Sequence, residues 1–484
     1  MQEAISIYKE FGKERKSLQK EGRIPDWVTT PGWQILKEKY VTTEEPDLVT
    51  IYRRVAKAAA RHMPESAEWE ERFYDIIWKG WLALSTPVLA NMGTTRGCPV
   101  SCSGSYVGDS VYDFYDNRLE SAILSQQGFG TSGYLGNIRE RGTPISQGAR
   151  GYADGIVPVL KAHVQMARDI SQGSTRRGSW AGYIPIDHGD FWESITHLTN
   201  NPDDCNVGWI ISDDFIERLK SGDEDAVARY QRSLKVKMVT GKGYYFFVDK
   251  VNRDNPPMYA KNNLSVKASN LCTEITLHSD EDHTYTCVLS SMNLDKRDEW
   301  VDTDAVFVAT VFLDCVAEEF IEVGKKIKGL EKAVRATEKG RALGLGTLGF
   351  HTYLQRRGLS FDSLDSHLEN IRIYKDIREK ADEATKWMAE VLGEPEWCRG
   401  FGVRNTHLLA IAPNLSSALI CGSVSQGIEP VYMNAFTQGT AAGEINRINP
   451  VLVELMKKKG VFTFDNMDDI IKNDGSVQHV EWLD

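Results

Sequence analysis

Residues 100–108 read VSCSGSYVG and residues 115–130 read YDNRLESAILSQQGFG. The first is a short run of small and apolar residues closed by a glycine. The second spaces its apolar residues as a helix does. The same exchange continues through IVPVLKAHVQMARDI (156–170), VGWIISDDFIERL (207–219), VKMVTGKGYYFFV (236–248) and TYTCVLSSMNL (284–294). A long helical stretch follows around Val306 to Lys328. Strands interleaved with helices at this pace predict an α/β domain built on a large barrel or sheet. No Pro/Gly/Ser-rich linker interrupts residues 86–450, which predicts one large domain. Upstream, Leu48, Ile51, Val55 and Ala58, then Trp69, Phe73, Ile76, Ile77 and Trp81, recur at helical spacing. Residues 1–85 therefore read as a helical N-terminal region, and 86–484 as the main domain.

Composition narrows the function classes. At 484 residues the chain exceeds an ordinary domain, and its 41% hydrophobic and 26% charged content exclude disorder. The formal charge of −11 removes a whole-protein basic footprint for nucleic acid but leaves room for a local phosphate site. No apolar run reaches the length of a membrane span. The N-terminal sequence MQEAISIYKEFGKERKSLQKEG lacks the apolar core of a signal peptide. Eight cysteines are too few for a secreted disulfide scaffold, so a cysteine with a function is expected to be catalytic, metal-binding or redox-active.

Four motifs carry possible chemistry. Gly344 to Gly349, GLGTLG, fits a dinucleotide fingerprint by letter, but the charged, helix-like EKAVRATEKGRA precedes it where a strand is required. Glycines for close helix packing are the expectation there. Cys98 and Cys102 lack a second Cys/His pair at ligand spacing, so no zinc site is expected from them. Asn270-Leu271-Cys272-Thr273-Glu274 would, as an extended segment, present an amide, a thiol and a carboxylate on one face. That set offers a sulfur to react, a base and an orienting amide; an edge strand with its polar face in water is the competing reading. Ala412 to Ser417, APNLSS, leads into an apolar run, where a helix start would serve either as an anion site or as a plain N-cap.

In order along the chain stand STPVLANMG, SCSGSYVGDS, SQQGFGTSG, NIRERGTPI, SQGSTRRGSWAGYIP, SNLCTEI, TCVLSSMNL, RALGLGTLGF, APNLSSALICGSVSQGIEP and AAGEINRINP. This ordered set resembles the large (α, catalytic) subunit of ribonucleotide reductase, in details closest to the phage-type branch of class I. The resemblance implies a ten-stranded α/β barrel with a reactive cysteine on a central finger loop. It implies that Cys272 is a transient thiyl radical taking the 3′-hydrogen of a ribonucleotide. Glu274 would be the base on the 3′-hydroxyl, and Asn270 would bind substrate and hold Glu274. Cys102 and Cys287 would be the dithiol that reduces the 2′-carbon, with Cys98 incidental. The substrate diphosphate would rest on Thr86, Ser416 and Ser417, with Ser101 near the sugar. Leu415 stands where the family's phosphate turn carries a charged residue. Asp109 would hold the sugar or base of a specificity effector and Arg139 its phosphates. Residues 174–182 would link effector to substrate through Arg176 or Arg177.

The resemblance also implies partners. No cofactor is expected in this chain; the radical would come from a metal-containing small (β) subunit, with dNTP or ATP as allosteric effectors. A ribonucleoside diphosphate substrate, a homodimer, and thioredoxin or glutaredoxin as reductant follow, in the cytoplasm (of the host, if phage-encoded). Residues 1–85 are expected to lack a complete ATP-cone. The family's Tyr-Tyr radical-transfer strand and C-terminal cysteine pair have no counterpart here, because no tyrosine or cysteine follows Ala441. A completing C-terminal polypeptide is therefore expected. The competing functions are a non-catalytic dNTP-binding fragment, a cobalamin-dependent class II reductase and a glycyl-radical enzyme. Glu274 and Cys287 argue against the last.

Overall fold

The computed structural model of the chain describes residues 2–145, 151–170, 178–204, 206–440 and 443–483. Ten strands are present among them: β1 (Leu82–Leu84), β2 (Cys102–Tyr106), β3 (Gly130–Tyr134), β4 (Trp180–Pro185), β5 (Asn206–Ile211), β6 (Tyr244–Phe247), β7 (Tyr285–Asn293), β8 (Leu343–Leu348), β9 (Ala435–Thr440) and β10 (Gly443–Ile448). β2 to β6 lie side by side and parallel in chain order. Parallel neighbours need long crossovers, and helices such as Val111–Gln126, Ile156–Asp169 and Phe191–Asn200 supply them. β7 runs antiparallel to β1 and β2 but parallel to β8. The sheet is thus two parallel blocks of opposite direction joined at β2–β7.

Eight strands form this curled, half-barrel sheet. β9 and β10 pair with each other rather than with it, and β6 pairs only with β5 among the described strands. β7 is buried along its whole length, as a strand covered on both faces must be. Small residues in β2 and β5 let neighbouring rings fill the interior. A Cβ on Gly104 would lie 2.0 Å from Tyr285 Cζ, and one on Gly208 would lie 2.2 Å from Tyr183 Cε1.

The GLGTLG segment corrects the sequence reading. Leu343–Leu348 is a buried strand whose glycines face a neighbouring chain segment rather than a packed helix. Its glycines admit the neighbouring chain: a Cβ on Gly346 would sit 2.4 Å from the Ala410 carbonyl oxygen. The helix-like residues before it do form a helix, Glu331–Gly340, so the strand requirement for a dinucleotide turn fails as expected.

Four helices lead the chain: Gln2–Lys20, Thr30–Lys39, Leu48–Ala60 and Ser66–Trp78. Asp47 caps the third, accepting from Thr50 N at 2.9 Å. Gly32 in the second packs directly on the backbone of the short helix Leu415–Ile420; a Cβ there would lie 2.8 Å from the Leu419 carbonyl oxygen. This contact brings the end of Thr30–Lys39 to the cleft described below.

Behind the sheet, the helix Ala305–Gly324 is buried almost all round and packs on β7 and β8. Its buried carboxylate Asp314 receives Arg341 Nε and Nη2 at 2.9 Å each, Arg404 Nε at 2.9 Å and Asn405 Nδ2 at 2.8 Å. Burial alone would raise the Asp314 pKa, but the two guanidinium groups outweigh it and hold the carboxyl well below its usual range. A depressed folded-state pKa contributes stability that is present above the unfolded value and lost as pH falls. Asp314→Ala takes the buried counter-charge from Arg341 and Arg404 and leaves Arg341 only the partly exposed Glu318, at 2.6 Å. Urea denaturation at neutral pH is expected to show a loss of about 3–5 kcal/mol. A loss below about 1 kcal/mol, the range of exposed pairs, would contradict this reading of the hub.

Candidate active site

Residues 270–274 do not form the extended segment that a period of two requires. They make a tight turn, with Thr273 N donating to the Asn270 carbonyl at 3.1 Å and Thr273 at φ +70°. A β-branched residue in that left-handed region costs about 1–3 kcal/mol and persists only where its surroundings fix it. Three side chains fix it. The Asn270 side-chain oxygen accepts from the backbone N–H of Glu274 at 3.1 Å and of Ile275 at 3.2 Å. The buried Tyr183 hydroxyl donates to the Asn270 carbonyl at 2.6 Å and lies 2.7 Å from Thr273 Oγ1. Ser132 Oγ on β3 donates to the Ser269 carbonyl at 2.9 Å. The turn is therefore held from β3 and β4, inside the curl of the sheet.

The turn projects Cys272 and Glu274 into a cleft of about 670 Å³. Ser101, Cys102, Thr86, Ser416 and Ser417 line the same cleft. Asn270 itself is fully buried beneath the turn. Its Nδ2 has no hydrogen-bond partner among the described residues, a costly state that a bound polar group could relieve.

Cys102 and Cys287 are placed by register. They stand directly opposite each other in the antiparallel β2–β7 pair. Such partners lie roughly 4.5–5.5 Å apart at Cα with side chains on one face, inside the window a disulfide needs. Both residues are buried, and Cys287 borders a smaller cavity that Glu274 shares. Cys98 lies elsewhere, fully buried, with its pKa pushed up to about 12 by burial. A thiol so disfavoured as thiolate is inert packing.

One end of the cleft is rich in hydroxyls. Thr86 opens the helix Thr86–Asn91 and receives the Tyr40 hydroxyl at 3.3 Å. Ser416 and Ser417 stand in the first turn of Leu415–Ile420, with Ser417 Oγ donating to the Leu84 carbonyl at 3.0 Å. Asn414 fixes this turn, donating from Nδ2 to Thr347 O at 3.0 Å and accepting from Ser291 Oγ at 3.0 Å. Lys39 and Tyr40 line the cleft too, and the sequence reading missed both. Their only signal was position at the C-terminal end of a helix, which lysines commonly occupy.

Asp109 and Arg139 come together away from this cleft. Arg139 Nε meets Asp109 Oδ2 at 2.6 Å, and both line a cavity of about 530 Å³ beside the helix Val111–Gln126. The two are thus an ion pair rather than separate contacts. Arg176 and Arg177 lie outside the described residues.

A family profile described as "Ribonucleotide reductase, barrel domain" matches residues 100–229, 226–400 and 395–484, and "Ribonucleotide reductase, all-alpha domain" matches 27–97. A protein of Frog virus 3 (isolate Goorha), "Putative ribonucleoside-diphosphate reductase large subunit", is 34% identical over 90% of this chain and 79% of its own length. The chain belongs to the ribonucleotide reductase large-subunit family. The "Ribonucleoside-diphosphate reductase large subunit" of Invertebrate iridescent virus 3 is 28% identical over 93% of this chain and 82% of its own. The solved class Id ribonucleotide reductase alpha subunit of Actinobacillus ureae superposes with a TM-score of 0.86 at 38% identity, covering 94% of this chain and 84% of that one.

Within this reductase fold, Tyr183 was not singled out by sequence, because a tyrosine in an apolar strand carries no mark of what its hydroxyl reaches. Tyr183→Phe removes both hydroxyl contacts to the turn. It is expected to cost about 0.5–1.5 kcal/mol in denaturant unfolding and to raise the alkylation rate of Cys272 relative to Cys102. Unchanged relative alkylation rates would show that the hydroxyl does not hold the turn.

Proposed function

We propose that this chain is the catalytic large subunit of a class I ribonucleoside-diphosphate reductase, converting ribonucleotides to deoxyribonucleotides for DNA synthesis. One observation carries the reading: Cys272, Glu274 and Cys102 face one cleft, and Cys102 is in register with Cys287.

The roles follow from the chemistry of these groups. A radical-generating small subunit supplies the oxidising equivalent. Cys272, as a thiyl, takes the 3′-hydrogen atom of the substrate. Glu274 takes the 3′-hydroxyl proton, which helps the 2′-hydroxyl leave as water. Cys102 and Cys287 deliver two electrons and two protons and become a disulfide. Glu274 gives its proton back to the 3′-oxygen, and Cys272 returns its hydrogen to C3′ and is a thiyl again. Asn270 holds the backbone beneath Glu274 and offers its unpartnered amide to the site. Thr86, Ser416 and Ser417 receive the diphosphate, with Ser101 near the sugar and Lys39 as the adjacent cation. Thioredoxin or glutaredoxin reopens the disulfide, which places the enzyme in a reducing compartment such as the cytoplasm. No helix among the described residues is long and apolar enough to cross a membrane.

The cavity bounded by Asp109 and Arg139 is read as the specificity-effector site for dNTP or ATP. Effector phosphates would share Arg139 with Asp109, while Arg176 or Arg177 would reach toward the substrate. Beside it, Val111, Tyr112, Tyr115 and Leu119 expose 71, 78, 60 and 62% of their surface on one helix. Such an apolar face supports a homodimer. A completing polypeptide would add by strand pairing at β6, which pairs only with β5 among the described strands and lines a cleft of about 840 Å³ together with residues 405–409.

Cys272→Ser replaces a weakly held hydrogen with a strongly held one. With the small subunit and any completing polypeptide present, CDP or UDP reduction is expected to vanish while equilibrium dialysis shows unchanged diphosphate binding. Substantial deoxynucleotide formation by that variant would remove Cys272 from the mechanism. For the effector site, Arg139→Ala is expected to weaken dTTP binding by about 1–3 kcal/mol in calorimetric titration. An unchanged dissociation constant would place the effector elsewhere.

A further inference from the structure

The loop between the reactive turn and β7 reads His278-Ser279-Asp280-Glu281-Asp282-His283. Its backbone is anchored, with the His278 N–H donating to the Tyr259 hydroxyl at 3.1 Å. The His278 ring is buried and faces an oxygen at each nitrogen. Nδ1 lies 2.8 Å from the Ser265 carbonyl and Nε2 lies 2.9 Å from Asp280 Oδ2. A neutral imidazole carries one ring proton, so it can satisfy only one of these two acceptors. The Ser265 N–H, at 3.2 Å from Nδ1, offers that nitrogen a donor, but the carbonyl stands closer. A second positive centre at Nε2 would make both short contacts favourable.

The neighbours are arranged around the same point. The other Asp280 oxygen lies 2.8 Å from His283 Nδ1, and His283 Nε2 is buried with no hydrogen-bond partner among the described residues. One ligating atom from each of the three residues fits within a 4.8 Å span. The ring of Trp397 closes against both imidazoles, at centroid distances of 6.0 Å to His278 and 5.3 Å to His283. Glu281 and Asp282 add negative charge to the loop. Arg335, the cation facing it, binds the Asp282 carbonyl at 2.9 Å.

We propose that His278 Nε2, the Asp280 carboxylate and His283 Nδ1 bind one divalent transition-metal ion of the zinc type. With metal on Nε2, Nδ1–H donates to the Ser265 carbonyl, the backing that metal-bound histidines commonly have. Two imidazoles and one carboxylate suit zinc and its neighbours rather than magnesium or calcium. Tetrahedral bonds of ~2.0–2.1 Å separate ligand atoms by ~3.3 Å, a spacing to be reached from nitrogen–carboxylate contacts of 2.9 and 2.8 Å in a group whose ligand atoms all lie within 4.8 Å. Water takes the fourth position. The ion clamps the stem of the reactive turn to the strand that carries Cys287, four residues beyond His283. This site is structural and independent of the redox roles given above.

The test uses the full chain without a polyhistidine tag, reduced and stripped with chelator. Zn²⁺ is titrated by calorimetry and Co²⁺ by visible absorption. One equivalent of Zn²⁺ is expected to bind and raise the melting temperature, and the Co²⁺ spectrum should lack a thiolate charge-transfer band. Asp280→Asn and His283→Gln should each weaken binding roughly tenfold or more while keeping the wild-type circular dichroism. Should His283→Gln fail to fold, the partly exposed Asp280→Asn decides. A variant with Cys102, Cys272 and Cys287 all changed to serine should bind as the wild type does. No stoichiometric uptake, uptake unaffected by Asp280→Asn, or a thiolate band that disappears in the triple-serine variant would overturn the proposal.

Discussion

The rest of the structure depends on the one place where its two parallel blocks meet in opposite directions. Antiparallel pairing of β2 with β7 sets Cys102 against Cys287. Register in a buried sheet cannot slip by one residue without turning every side chain to the other face. The packing that fixes the register therefore also fixes the pair of thiols. Tyr285, lying across Gly104 beside the pair, is part of that packing: a side chain at 104 would collide with its ring.

The reactive turn is the second half of the site, and it is built differently. The seam is regular structure, whereas the turn holds a strained Thr273 by side-chain contacts drawn from two strands and from Asn270. Each such hydrogen bond contributes only about 1 kcal/mol net, so the turn stays put because the contacts act together. A rigid scaffold carrying a reactive residue on an over-determined loop is a frequent way to place chemistry. Here it puts the Cys272 thiol and the Glu274 carboxylate around one cleft with Cys102.

Much of this was legible in the sequence, and what was not has physical causes. The alternation of strands and helices from Val100 onward gave the α/β class, and the N-terminal periodicities gave helices such as Leu48–Ala60 and Ser66–Trp78. The glycines of GLGTLG suggest close helix packing, yet packing against Ala410 makes the segment a buried strand. Residues 270–274 were read with a strand period, and Thr273, which disfavours a left-handed conformation, hid the turn. The Cys102–Cys287 pairing is invisible to local pattern because strand register is a long-range property. It came from the resemblance, and the structure then placed the two residues opposite each other. Tyr183, Lys39 and Tyr40 had no signal at all, since each belongs by type and spacing to an ordinary strand or helix end.

The central claim is that the seam thiols are the electron source for a reaction begun at Cys272. It is tested most directly by letting the pre-reduced enzyme, complete with its radical partner, turn over once without external reductant. The protein is then acid-quenched, and its disulfides are mapped by peptide mass spectrometry. The account predicts a Cys102–Cys287 disulfide formed in proportion to the deoxynucleotide produced, with Cys98 and Cys272 recovered as thiols. Product formed with Cys102 and Cys287 still reduced, or a Cys98–Cys102 bridge in their place, would contradict it.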